Sequence, residues 1–248
     1  MPGAGQLSVR IGEKRFRDPL SGGVREVLRG VAFDGTPGEI LALFGPSGTG
    51  KTTTLRIVLG LDRDFTGSVR RPAGRIGVVF QEPLLLPWMT VADNVRTVAL
   101  PGDEAADVGA LLDEVGLAGE GRRMPRELSL GMARRAALAR ALSVSPGLLV
   151  LDEPFASLDA GLGAQLAQVV ARRARHDGMV VLLATHDLDQ ALAIADRVLV
   201  LSGRPATLAA DLRVPRDDSG IGLLRKNLHR RFRFLARNGV SFGPDQEI

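Results

Sequence analysis

The chain has 248 residues, of which 45% are hydrophobic and 24% are charged, the profile of a globular protein with one or two domains. It contains no cysteine, which excludes disulfide bonds and thiolate metal sites. Its 32 basic and 28 acidic residues leave a net charge of +4, which fits an anionic partner or simply an arginine-rich surface. We find no signal peptide and no apolar run near the roughly 20 residues of a membrane span, so we expect a cytoplasmic protein that reaches a membrane only through a partner chain.

Residues 6–34 predict an arm of β-strands. Residues 7–11 alternate between apolar and polar side chains, and residues 27–31 follow a Ser-Gly-Gly turn. Phe16 is the aromatic residue of this arm that is suited to stack on a base. A core or surface position explains Phe16 equally well, so both interpretations stay open.

The next stretch is a P-loop. An apolar strand at 40–44 leads into the pattern G-x-x-x-x-G-K-[ST], and a helix to about Leu61 follows. Backbone N–H groups of such a loop bind phosphate, Lys51 reaches the β- and γ-phosphates, and the Thr52 hydroxyl ligates Mg²⁺. The alternative is a glycine-rich turn before a buried helix, which does not require all eight matched positions. The residues predicted to bind nucleotide here are Gly45, Pro46, Ser47, Gly48, Thr49, Gly50, Lys51, Thr52 and Thr53.

Residues 82–143 predict a helical insertion between strands of an α/β core. A strand at 75–80 ends at Gln81, and a proline-bounded apolar loop follows it. A capping box at Thr90–Asp93 opens one helix, and apolar residues at helical spacing predict another over 103–115. Ser129 is suited to cap a further helix at 133–142; such an end attracts phosphate but is also an ordinary cap.

Two more apolar strands end in polar residues suited to bind metal or phosphate or to activate water. The strand 147–151 runs into Asp152 and Glu153, and the strand 179–185 runs into His186. The Asp152 carboxylate can reach Mg²⁺ at the P-loop, and Glu153, on the other side of the pleat, can activate water. His186 is placed to bond the γ-phosphate. The alternation that predicts a mostly parallel sheet is completed by a helix at 162–175 and a strand at 197–201.

The end of the chain is basic and helical in pattern. Leu224, Leu228, Phe232 and Leu235 would share one face of a helix that is rich in arginine. Such a helix lies on an anionic membrane, on a partner or on its own domain. We therefore predict a nucleotide-binding domain over 1–213 and a basic helical tail over 214–248.

In order and spacing, these motifs resemble the nucleotide-binding subunit of an ATP-binding-cassette (ABC) transporter over residues 6–213. The motifs that carry the resemblance are Walker A (Gly45–Thr52), the Q-loop (Gln81), the signature (Leu128–Met132), Walker B (Leu148–Asp152 with Glu153), the D-loop (Ser157–Asp159) and the switch histidine (His186). The resemblance implies an α/β P-loop fold, with a mostly parallel central sheet, an antiparallel β arm and an inserted helical subdomain. It also implies an ATPase that uses ATP and Mg²⁺.

The resemblance further assigns roles to single residues. In that family two cassettes sandwich two ATP molecules head to tail, so a second copy of the chain is implied as a partner. The residues acting across that interface would be Ser129, Gly131 and Asp159. The catalytic residues would be Glu153, as general base, with His186, Lys51 and Gln81. The metal ligands would be Thr52, Gln81 and Asp152.

The stretch from Gln81 to Val95 resembles the importer branch that serves nitrate, sulfonate, taurine and similar small solutes, and Met132 fits that branch. This resemblance implies transmembrane permease subunits, to which Gln81 couples the γ-phosphate, and a separate solute-binding protein. The chain would then lie on the inner face of the cell membrane, with no nucleic-acid partner. The resemblance does not identify the solute, because in such systems the substrate contacts lie on other chains.

Leu130 departs from the family pattern, which has glycine at this position of the signature. A side chain where backbone approaches phosphate predicts slower turnover rather than none, because Ser129 and Gly131 remain. Three other functions stay open: a cytoplasmic ABC protein for DNA or ribosome work, a regulatory cassette with weak hydrolysis, and an exporter. The intact Glu153 and His186 argue against the second. The lack of a coiled-coil insertion, a second cassette and a fused membrane domain argues against the other two.

Overall fold

The structure is a computed structural model that describes residues 5–17, 22–98, 107–156 and 158–232. Its strands are β1 (Leu7–Arg17), β2 (Val24–Gly35), β3 (Ile40–Phe44), β4 (Thr66–Arg70), β5 (Ile76–Val79), β6 (Leu148–Asp152), β7 (Val180–Thr185), β8 (Arg197–Gly203) and β9 (Ala206–Arg213). Its helices are α1 (Lys51–Leu59), α2 (Val91–Arg96), α3 (Val108–Glu114), α4 (Leu130–Leu142), α5 (Ala160–Asp177), α6 (Leu188–Ile194) and α7 (Asp218–Arg231). The described residues form a nine-stranded sheet in the order β4-β1-β2-β9-β8-β3-β7-β6-β5.

The centre of the sheet consists of apolar parallel strands. β3, β6 and β7 are buried along their whole length, as expected for strands covered on both faces. β3 pairs in parallel with β7 and β8, β7 with β6, and β6 with β5. Parallel strands place all their carboxyl ends at one edge of the sheet, so the polar residues that follow β3, β6 and β7 meet there.

Each face of the sheet has its own hydrophobic core. Ile40, Ala42 and Phe44 of β3 contribute to the core beneath helices α2 to α6. Leu41 and Leu43, which alternate with them, contribute to the core shared with α1 and the arm. The central strands are therefore fixed from both sides, which gives their carboxyl ends a rigid support.

The antiparallel arm consists of β1, β2 and β4. β1 pairs with β2 on one side and with β4 on the other. The buried Lys14 of β1 ties the arm to the segment after α1, because its ammonium donates to the Asp62 carboxylate at 2.9 Å and to the Asp64 carbonyl at 2.6 Å. The predicted β arm is thus present.

The predicted helical insertion lies between β5 and β6. It contains α2, α3 and α4 with two 3₁₀ turns at Glu120–Arg122 and Pro125–Glu127. Thr90 caps α2 as predicted, since its hydroxyl accepts a hydrogen bond from the Asp93 amide at 3.2 Å. The described part of the helix predicted over 103–115 is α3; residues 99–106 lie outside the described ranges. The helix predicted at 133–142 begins at Leu130, directly after its Ser129 cap.

Helix α7 packs on the rest of the chain. Leu228 and Phe232 are buried in the core beneath α2 to α6, and Ile221 and Leu224 pack against that core. Leu235, predicted to share this face, lies outside the described residues. Within the described ranges, no helix combines the length and apolar character that crossing a membrane requires.

Candidate active site

The P-loop joins β3 to α1 and requires glycine at both ends. A Cβ atom at Gly45 would lie 2.6 Å from the Leu201 carbonyl oxygen of β8. Gly50 has a left-handed φ of 86°, and a Cβ atom there would lie 2.6 Å from the Leu28 side chain of β2. The loop is therefore held between two strands with its backbone close to both. The helix that it opens ends at Leu59, with Gly60 as its cap, slightly before the predicted Leu61.

Lys51, the first residue of α1, folds back into the loop. Its ammonium donates to the carbonyl oxygens of Gly45 at 2.7 Å and of Pro46 at 3.1 Å. The side chain is buried, and this burial lowers the pKa of Lys51, although Glu153 and Asp152 act in the opposite direction. A desolvated cation in a loop of this kind favours an anion such as a triphosphate.

Thr52 and Asp152 meet across the edge of the sheet. The Thr52 hydroxyl donates to Oδ2 of Asp152 at 2.9 Å, which joins the P-loop helix to the last residue of β6. Asp152 is buried, and this burial raises the pKa of its carboxyl, with the Thr52 hydrogen bond opposing and Glu153 adding to the shift. The sequence placed these two residues at one site, and the structure brings them into contact.

Glu153 turns away from Asp152 to meet His186. Its carboxylate oxygen Oε1 lies 2.8 Å from Nδ1 of His186, and its backbone amide donates to the Ala184 carbonyl at 3.0 Å. Glu153 follows the end of β6 and has a left-handed φ of 49°. The two acidic side chains have different partners, and a backbone turn separates them rather than the alternation of a strand.

Three other predicted site residues are exposed. Gln81 is exposed, two residues beyond β5. Ser129 and Asp159 are exposed helix caps, bonded to the amides of Met132 and Leu162. A Cβ atom at Gly131 would lie 3.0 Å from Leu158, so the signature and D-loop residues are neighbours.

Phe16 lies on the arm with its side chain 44% exposed. Its ring centroid is 4.5 Å from the Lys14 ammonium, a cation–π contact. An exposed ring on the arm is compatible with base stacking and with a surface position, so the two interpretations of Phe16 both stand. Ser157, the first D-loop residue of the pattern, lies outside the described residues.

Several residues that support the site were not predicted. Thr185, the buried last residue of β7, bonds to Glu153. Arg134 and Arg140 of α4 donate to backbone carbonyls of the D-loop and Q-loop segments. A polar residue at the end of an apolar strand is a signal that would have drawn attention to Thr185. The arginines give no comparable signal, because their acceptors are distant in sequence.

Comparison with known proteins decides the family. The family model described as ABC transporter matches residues 28–156, slightly more than half of the chain. The chain belongs to the ABC transporter family. The family, the cassette fold and the ATPase class predicted from the sequence are thereby confirmed.

This ABC protein is similar to curated import proteins over most of its length. It is 44% identical to the aliphatic sulfonates import ATP-binding protein SsuB 2 of Burkholderia lata, covering 92% of this chain and 87% of that protein. It is 47% identical to the SsuB 1 protein of Pseudomonas aeruginosa, covering 78% of this chain and 83% of that protein.

Among solved structures, the ATP-binding cassette MJ0796 in a dimeric state bound to ADP and Pi matches with a TM-score of 0.76 at 24% identity, over 85% of this chain and all of that one. A second dimeric MJ0796 structure matches with a TM-score of 0.75 at 24% identity, again over 85% of this chain and all of that one.

Proposed function

We propose that this ABC protein is the motor of an importer for aliphatic sulfonates or similar small organic anions. It would couple ATP binding and hydrolysis to uptake through separate permease subunits, with a solute-binding protein delivering the solute. The names of its relatives and the importer-like stretch from Gln81 to Val95 support this assignment. The cytoplasmic and exporter alternatives have no comparable support.

The observation that carries the proposal is the convergence of three groups at one edge of the sheet. The P-loop lysine, the Thr52–Asp152 contact and the Glu153–His186 pair follow adjacent parallel strands. Lys51 would hold the phosphates, and His186 would orient the γ-phosphate and Glu153 together. Glu153 would accept a proton from water as the water oxygen bonds to the γ-phosphorus, while the bond from phosphorus to the ADP oxygen breaks.

The donor set fits Mg²⁺. Thr52 supplies a hydroxyl and Asp152 a carboxylate that already lie within hydrogen-bond distance, and Gln81 supplies an amide oxygen near the same sheet edge. These are the hard oxygen donors that magnesium prefers, and triphosphate oxygens would complete the set. When bound, Mg²⁺ would neutralise charge on the phosphates. Among the described residues, no three His, Asp or Glu side chains form a metal cluster of their own.

We infer that two copies of the chain act together. Ser129 and Asp159 are exposed, and their side chains cap the helices on which they lie. Signature residues on the surface are available to the γ-phosphate bound by a second copy. The helix start at Ser129 adds the positive end of the α4 dipole to such an interface.

The permease would contact the loop after Gln81. Leu84 is 55% exposed and Trp88 is 70% exposed, yet the loop that carries them is rigidly held. The fully buried Asn94 side chain accepts from the Leu86 amide and donates to the carbonyls of Leu86, Met89 and Thr90. Exposed apolar side chains on an ordered loop are typical of a protein-binding surface. This contact would place the chain on the inner face of the cell membrane.

Substitution of the proposed base tests the mechanism. Glu153→Gln removes the proton acceptor but keeps the size of the side chain, so the protein is expected to bind Mg²⁺-ATP, lose hydrolysis by at least ~100-fold and accumulate as an ATP-bound dimer. Steady-state ATPase assays and size-exclusion chromatography with light scattering measure both effects. Glu26→Gln, on the β arm, is the matched control and is expected to behave as wild type. A monomeric Glu153→Gln protein in saturating Mg²⁺-ATP would contradict the proposal.

A further inference from the structure

Thr185 places a buried hydroxyl at the end of an apolar strand. The five preceding residues of β7 are valine, leucine and alanine, and Thr185 itself is completely inaccessible to solvent. A hydroxyl in such a position is unfavourable unless it is hydrogen-bonded. The hydrogen-bond partners of the Thr185 hydroxyl therefore indicate its role.

Two contacts fix the direction of the Thr185 hydroxyl. The backbone amide of Asp187 donates to Thr185 Oγ1 at 3.0 Å, so the oxygen acts as the acceptor in that bond. The one hydroxyl proton is left for the acceptor at the other side, which is Oε2 of Glu153 at 3.4 Å. The start of α6 thus orients the hydroxyl, and the hydroxyl points its proton at the proposed base.

Glu153 is held at three points by consecutive residues of one segment. Ala184 accepts from its backbone amide, Thr185 donates to Oε2, and His186 lies against Oε1. The left-handed backbone at Glu153 is unfavourable for a residue with a side chain, and the Ala184 hydrogen bond stabilises it, whereas the other two contacts act on the carboxylate. With Oε2 held by Thr185, the orientation of the carboxylate relative to His186 is set.

We propose that Thr185 is a positioning residue for ATP hydrolysis: its hydroxyl holds the Glu153 carboxylate in the orientation in which it accepts a proton from water. The inference rests on the proposed role of Glu153 as general base. Thr185 does not touch the reacting atoms in this scheme. Its effect falls on the rate of the chemical step, because misplacing a catalytic group by an ångström slows a reaction by up to about 100-fold.

Two substitutions at this position separate the hydroxyl from the shape of the side chain. Thr185→Val keeps the volume and removes the hydroxyl, and it is expected to lower kcat about tenfold while KM for ATP stays within about twofold. Thr185→Ser keeps the hydroxyl and is expected to restore most of the lost rate. Steady-state ATPase assays on the complete transporter measure both constants.

A control variant addresses the stability of α6. Thr185→Val also leaves the Asp187 amide without its acceptor, which loosens the start of that helix. Leu192→Ala loosens the same helix away from its start, because Leu192 is a buried side chain in the later part of α6. Its thermal unfolding temperature is expected to fall while kcat stays within about twofold of wild type, since the Thr185–Glu153 contact is kept.

A double-mutant cycle supplies a readout that a purely structural role would not produce. In a Glu153→Ala background there is no carboxylate to position, so adding Thr185→Val is expected to cause no further loss of the residual rate. If the wild type is active, any of three results would overturn this inference alone. They are an unchanged kcat in Thr185→Val, equal losses in the valine and serine variants, and additive losses in the cycle. A wild type that hydrolyses no ATP, or a fully active Glu153→Gln protein, would overturn the proposed function and this inference with it.

Discussion

Lys51 and Asp152 carry opposite charges that burial disfavours. Burial lowers the pKa of the lysine and raises that of the aspartate, so each group is shifted toward its neutral form. A carboxyl whose pKa is higher in the folded than in the unfolded protein lowers stability as the pH rises through the folded pKa. Phosphates beside Lys51 and a cation beside Asp152 would reverse both effects. The site is therefore less favourable alone than when it holds nucleotide and metal, as expected of a binding centre.

Leu130 departs from the glycine of the family signature, and the structure shows where its side chain lies. It is the first residue of α4 and its side chain is 53% exposed, beside the exposed Ser129 cap. A bulky apolar group therefore lies on the surface that would face the phosphate bound by a second copy of the chain. A Cβ atom at the neighbouring Gly131 would lie 3.0 Å from the Leu158 side chain, so the segment before Asp159 packs beside this end of α4.

We predict that Leu130→Gly raises the ATPase rate of the complete transporter about fivefold, equivalent to about 1 kcal/mol of barrier. The reason is closer approach of the α4 backbone to phosphate in the closed pair. Leu130→Ala, which shortens the side chain without freeing the backbone, serves as the control and should give a smaller gain. An unchanged rate in the glycine variant would show that the side chain does not hinder closure.

At the scale of elements, α4 joins three loops through arginine side chains. Arg134 donates to the Ala156 carbonyl just before the D-loop, and Arg135 donates to Gly116 at 2.6 Å, after α3. Arg140 donates to Leu84 at 2.9 Å and Pro83 at 3.0 Å, after Gln81. The helix that begins at the signature Ser129 is thus attached to the segments near both the D-loop and the Q-loop.

We predict that Arg140→Ala lowers the free energy of unfolding by about 2–3 kcal/mol, because two hydrogen bonds from a charged donor are lost and two carbonyls lose their partners. Burial lowers the pKa of Arg140, because part of the guanidinium is removed from water. The Leu86 amide, bonded to Asn94, should exchange its hydrogen faster in the variant. Denaturant unfolding and hydrogen exchange measure these effects. Arg135→Ala is the control on the same helix, and its effect should be confined to the segment around Gly116.

The sequence was sufficient for elements with a clear local pattern. The apolar strands at the centre, the P-loop and the Ser129 and Thr90 caps all follow from neighbouring residues. Strand β4 was not predicted because it is a mostly exposed edge strand with little apolar character, and β9 because most of its eight residues are half-buried or exposed. The contact between Thr185 and Glu153 and the bonds of Arg134 and Arg140 join residues more than 20 positions apart. Such pairs depend on the three-dimensional fold: the local pattern can mark Thr185 as a polar residue at a strand end, but it does not identify Glu153 as its partner.

At the scale of the whole molecule, the tail helix belongs to the packed structure. Leu228 of α7 is buried, and Arg225 pairs with Asp189 of α6 at 2.8 Å. The apolar face of α7 therefore packs against the rest of the chain, in agreement with the interpretation that this helix packs on its own domain. The basic side chains of α7 remain on the outside. The exposed apolar surface near Gln81 is thus the better place to look for a partner.

We predict that Trp88→Ala weakens association with the permease and reduces permease-dependent ATPase activity about tenfold, because an exposed tryptophan on an ordered loop is typical of a binding hot spot. ATP hydrolysis by the isolated protein should stay within about twofold of wild type, since Trp88 is not among the residues placed at the nucleotide site. Leu223→Ala is the matched control: Leu223 is a large apolar side chain on α7 that is 61% exposed, close to the 70% of Trp88. Co-purification with membrane-embedded permease and ATPase assays with and without it measure both effects. If the leucine and tryptophan variants associate equally well, the permease docks elsewhere; if nucleic acid rather than membrane co-purifies with the wild type, the transport assignment itself is wrong.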